Sequence, residues 1–154
     1  MPGEPSTRPS VPTDRFVITL PSRADYLGAV RSVVRGFLEE CMDARLSEEE
    51  INGIQMALQE ACINVVRHAH KKDATLPLVV TVSAPAGRFV LEIEDFGQGL
   101  PPPGKEPPDP DPANPREGGY GIFIMRQVMT EVRSEFRAGK HVLILSKDLP
   151  AKAP

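Results

Sequence analysis

The chain has 154 residues, 40% of them apolar and 25% charged, with a formal net charge of −3. That is the size and balance of one globular domain with a core of its own. It carries no basic run that would recruit nucleic acid and no apolar run of membrane-spanning length, so the cytoplasm is the expected location. The two cysteines, Cys41 and Cys62, fit neither a disulfide framework nor a zinc spacing and read as reduced core residues.

The 17 prolines gather mainly at residues 2–12, 101–115 and 150–154, leaving the intervening chain free to be regular. Residues 1–14 are rich in Pro, Ser and Thr and read as a disordered tail. Residues 15–148 read as the folded domain, and 149–154 as a second flexible tail. Arg15 to Leu20 is short and β-branched, as a strand should be. Ser22 and Asp25 then resemble a capping box. Leu27, Val30, Val34, Phe37 and Leu38 follow at helical spacing, predicting a helix over residues 23–41. Ser47 with Glu50 is a stronger capping box. The helix it opens buries Ile51, Ile54, Leu58, Ala61, Cys62 and Val65, and is expected to reach about residue 69.

Leu78 to Val82 and Phe89 to Asp95 read as strands joined by a turn at residues 85–88. The proline-rich stretch 100–117 excludes a regular element. Gly121 to about Val132 is helical by pattern. Residues 133–137 and 141–146, joined by Ala138-Gly139-Lys140, form a closing hairpin. Two helices come early and one late among hairpins. The expectation is an α+β two-layer sandwich, a mostly antiparallel sheet with three helices on one face.

Three segments carry chemistry. Glu60 and Asn64 are one helical turn apart, and His68, four further on, continues them as a polar line. Asp95-Phe96-Gly97-Gln98-Gly99 follows a strand end, where glycines permit a sharp turn and close ligand approach. Gly118-Gly119-Tyr120-Gly121 opens a helix whose free N–H groups suit phosphate. Taken singly, a solvated helix face and two glycine-rich turns explain them equally well. Neither a dinucleotide fingerprint nor a Walker loop is present.

In this order the segments resemble the N, G1 and G2 boxes of the GHKL ATPase superfamily, which has the Bergerat-type ATP-binding fold. The resemblance spans about residues 15–147 and is closest to the anti-sigma-factor serine/threonine kinases, carried by Met56 to Ala69 and Gly118 to Met129. It implies ATP and Mg²⁺ as cofactors. It implies that Asn64 holds the metal through its amide oxygen, and that Glu60 orients or deprotonates the attacking hydroxyl. Asp95 would accept from the adenine amino group. Gly97 and Gly99 would admit base and ribose. Gly118, Gly119, Tyr120 and Gly121 would line the phosphates, with His68 either a phosphate contact or structural. Residues 100–117 would be the ATP lid. The implied partners are a sigma factor and an anti-anti-sigma antagonist, with a homodimer as an accompanying assembly. A nucleotide-dependent binding regulator without useful kinase activity is the alternative.

Overall fold

The computed structural model describes residues 15–41, 45–85, 87–97, 109, 111–113 and 120–151. The expected tail at 1–14, residues 152–154 of the expected tail 149–154, and nearly all of the expected lid lie outside these residues.

Five strands form one sheet: β1 (Arg15–Pro21), β2 (Pro77–Ser83), β3 (Arg88–Asp95), β4 (Glu131–Arg137) and β5 (Lys140–Asp148). Their order is β1-β2-β3-β5-β4, and all four pairings are antiparallel. The last hairpin turns at Ala138 and Gly139, both at positive φ, which matches the right-handed strand twist. Its late strand, β5, lies between β3 and β4, which leaves β3 at the centre of the sheet.

One face of this sheet carries α1 (Leu27–Cys41), α2 (Glu48–Asn64) and α3 (Tyr120–Val128). Alternating residues make this face apolar: Leu78, Val80 and Val82 from β2, Phe89, Leu91 and Ile93 from β3, Leu143 and Leu145 from β5. The helices bury Val34, Phe37, Ile54, Leu58 and Met125 against them. The expected α+β sandwich is therefore present. Cys62 belongs to this core, and burial pushes its thiol pKa up to about 12. On the opposite face, Arg133 and Arg137 pair with Glu131, Glu135 and Glu92 above the buried Val142 and Ile144.

Local structure departs from the sequence pattern in three places. Ser22 does not cap a helix: its Oγ bonds His70, Asp25 pairs with Arg23, and a single 3-10 turn at Ala24–Tyr26 leads into α1. The second helix stops being α-helical at Asn64 and continues as a π-helical turn, Val65–Ala69. The third helix ends at Val128, because Thr130 N–H already bonds the Ser146 carbonyl and Glu131 enters the sheet. By contrast, the Ser47–Glu50 capping box forms in both directions.

Candidate functional site

α2 and α3 run antiparallel and touch through glycines at both ends. A Cβ on Gly53 would stand 3.1 Å from Val128 Cγ1, near the start of α2 and the end of α3. At the opposite end, a Cβ on Gly121 would stand 3.1 Å from both Glu60 Oε2 and Asn64 Nδ2. Glu60 and Asn64 project from one face of α2 at i and i+4, and the bare Gly121 lets them meet the first turn of α3. Here an acid and an amide face the positive end of a helix dipole, where unbonded N–H groups favour anionic oxygens. Tyr120, the first residue of α3, is 37% exposed beside them.

The second group is built at the end of β3. Asp95 is 3% exposed, the last buried position of the strand's core-facing alternation. Its Oδ1 accepts the Gly97 N–H at 2.5 Å, and its Oδ2 lies 2.8 Å from His141 Nδ1. Gly97 in turn packs against Ala69: a Cβ there would be 2.6 Å from Ala69 Cβ, inside any real carbon–carbon contact. Only glycine fits this position without displacement.

The π-helical turn joins the two groups. In it the His70 N–H bonds the Val65 carbonyl five residues back, at 2.8 Å. The wider turn places residue i+5, not i+4, beneath residue i. Ala69 therefore continues below Asn64 and meets Gly97, while His68 is exposed.

His70, not His68, is the histidine bound to the site's backbone. It is 2% exposed. Its Nε2 accepts the Phe96 N–H at 3.1 Å, so the proton sits on Nδ1, which donates to Ser22 Oγ at 2.9 Å. Burial lowers its pKa from the usual histidine value, outweighing the opposite pull of Asp95 and Asp73. A neutral imidazole thus ties the segment after β1 to the turn after β3. Neither His70 nor His141 stands out in the sequence as a site residue. One lies past a helix irregularity, and the other reaches Asp95 only through strand register.

Gly99, Gly118 and Gly119 lie outside the described residues. Among those described, no cluster of three or more His, Cys, Asp or Glu side chains could hold a metal by itself. The donors at Gly121 fit Mg²⁺ in another way. One amide oxygen and a nearby carboxylate suit a hard ion that takes its remaining ligands from phosphates and water.

The chain matches the model of the histidine kinase-like ATPase domain over residues 20–147, and it belongs to that family. Within the family it is similar to the serine-protein kinases RsbW. The protein of that name from Bacillus licheniformis is 28% identical over 135 residues, covering 82% of this chain and 81% of the relative. That from Bacillus subtilis strain 168 is 26% identical over 133 residues, with the same coverage of 82% and 81%. That from Staphylococcus epidermidis is 28% identical over 126 residues, covering 77% of each. Among solved structures, part of the chain that carries the RsbU and RsbW domains of Rv1364c from Mycobacterium tuberculosis shares the fold, with a TM-score of 0.64 and 22% identity. The match covers 92% of this chain and 34% of that one, so this chain spans about a third of that molecule. A blue-light-activated histidine kinase from Erythrobacter litoralis shares it at a TM-score of 0.52 and 20% identity.

Proposed function

We propose that this chain is an ATP-dependent serine/threonine protein kinase that phosphorylates an anti-anti-sigma antagonist and so regulates a sigma factor by partner switching. The supporting observation is the junction of Glu60 Oε2 and the Asn64 amide against Gly121 at the start of α3. It gathers an acceptor for a hydroxyl proton, a hard metal ligand and a helix N-terminus at one point. The RsbW relatives, named serine-protein kinases, support the same reading.

On this reading Asp95 accepts a hydrogen bond from the adenine amino group, and Gly97 lets the base lie against the backbone. The N–H groups at the start of α3 hold phosphate oxygens. Asn64 ligates Mg²⁺, which when bound supplies charge neutralisation at the phosphates. Glu60 orients the attacking hydroxyl and takes its proton. His68, exposed within the π-helical turn, keeps the role that the resemblance implies, a phosphate contact or a structural residue. Gly99, Gly118 and Gly119 keep the roles that the resemblance implies. A homodimer is part of the proposal, checked by sedimentation. So is a cytoplasmic location, consistent with the lack of any described helix long and apolar enough to cross a membrane.

The test is transfer of label from γ-³²P-ATP with Mg²⁺ to candidate anti-anti-sigma proteins, with wild type beside Glu60→Ala. The expected result is a labelled serine or threonine with wild type. Glu60→Ala should lower the rate by about a hundredfold or more while ATP binding persists. ATP binding with no transfer to any candidate would instead make the chain a nucleotide-dependent binding module. No ATP binding at all would sink both readings.

A further inference from the structure

Asp95 is not held by its own strand alone. β5 returns beside β3, and the antiparallel register sets His141 directly across from Asp95. The two side chains are 5% and 3% exposed, with Nδ1 2.8 Å from Oδ2. A carboxylate only accepts, so the hydrogen of this contact belongs to Nδ1. The other oxygen, Oδ1, is occupied by the Gly97 N–H. Both oxygens are thereby fixed in direction, and each keeps a further lone pair for a ligand.

The other ring nitrogen is the second observation. His141 Nε2 is buried and has no hydrogen-bond partner among the described residues. Buried polar atoms in native proteins are nearly always satisfied, so an orphan beside a site calls for a partner that arrives with ligand or water. The imidazole is also kept in place by the Phe136 ring, 5.6 Å away between centroids. Phe136 itself is 63% exposed on the edge strand.

We propose that His141 is a positioning and specificity residue of the nucleotide site: its Nδ1–H clamps Asp95 as an acceptor-only reader of a purine 6-amino group. This rests on the ATP-binding reading given above. A clamped acceptor rewards a ligand that donates at this point, as adenine does through its 6-amino group. It penalises one that presents a carbonyl oxygen there or nothing. Without the clamp Asp95 keeps its place in the chain but loses one of the two contacts that aim it.

The experiment is calorimetric binding of ATP and of purine riboside triphosphate, which lacks the 6-amino group, to wild type, His141→Phe and His141→Asn. His141→Phe keeps a ring but has no N–H, and Asn can place an amide N–H near the position of Nδ1. The expected result is about a tenfold loss of ATP affinity in His141→Phe, the scale of one charge-assisted hydrogen bond. The 6-deamino analogue should bind as to wild type, and His141→Asn should recover most of the ATP affinity. Equal weakening of both triphosphates, or no change for either, overturns the proposal. Should His141→Phe not fold, imidazole ¹⁵N spectra of wild type decide. ATP should shift the His141 signals more than the analogue does, and equal responses would overturn the assignment. Wild type that binds neither triphosphate would remove the nucleotide reading itself. Wild type that binds ATP while its variants lose both ligands in parallel would remove only the role of His141.

Discussion

Gly97 and Ala69 meet with no space for a methyl group between them: a Cβ on Gly97 would come within 2.6 Å of Ala69 Cβ and 2.8 Å of Asp95 Oδ1. Gly97→Ala must therefore move either the π-helical turn or the Asp95 carboxylate. The expected cost is about 1–3 kcal/mol of stability, the usual penalty of overpacking. ATP affinity should fall with it. Urea denaturation and calorimetry of the same variant test both, and an unchanged protein would show that this contact is not tight in solution.

Gly36 behaves oppositely. It lies inside α1, and nothing stands within 4 Å of where its Cβ would be. Glycine in a helix interior costs about 1 kcal/mol relative to alanine. Gly36→Ala should raise the unfolding free energy by about that amount and leave nucleotide binding unchanged. Gly87 also has open space, but its φ of +77° makes alanine strained there, so Gly87→Ala should destabilise.

The neutral His70 makes stability depend on pH. Its pKa is lowered from 6.5 in the folded chain, chiefly by burial, so the unfolded chain binds the proton more readily. Stability is then fully present above about pH 6.5 and declines as pH falls from there through the depressed folded-state value. Protonation also removes the acceptor that holds the Phe96 N–H. Unfolding free energies measured between about pH 8 and about pH 5.5 should fall more steeply for wild type than for His70→Phe. Identical slopes would refute this account.

Ser47 and Glu50 satisfy two otherwise unbonded N–H groups at the start of α2. Ser47→Ala should cost about 1 kcal/mol. The backbone bond from Ser47 is also the main reason the Glu50 pKa is lowered. The cap's contribution is therefore present at neutral pH and fades as pH falls through the depressed Glu50 value. A Ser47→Ala midpoint equal to wild type in a denaturant titration would show that the box contributes nothing.

Periodicity and punctuation alone determined the five strands and three helices in their order, the Ser47 cap, most of the core from Leu27 to Leu145, and the placement of Glu60, Asn64, Asp95 and Gly121 on helix, strand end and helix start. These are local properties: the side-chain period of a helix or strand and the φ/ψ limits of Pro and Gly act over a few residues. Only the tertiary structure decided that Ala69 rather than His68 follows Asn64, because a π-helical turn breaks the 3.6-residue period that the prediction assumes. The same holds for Ser22, whose oxygen serves His70, 48 residues away, instead of the next helix. Most of all it holds for Asp95. A strand ending in Asp-Phe-Gly is legible as a turn, but its clamp by His141 comes from the register of β3 on β5, across 46 residues of chain. No local preference encodes that pairing; the packing of the whole sheet selects it.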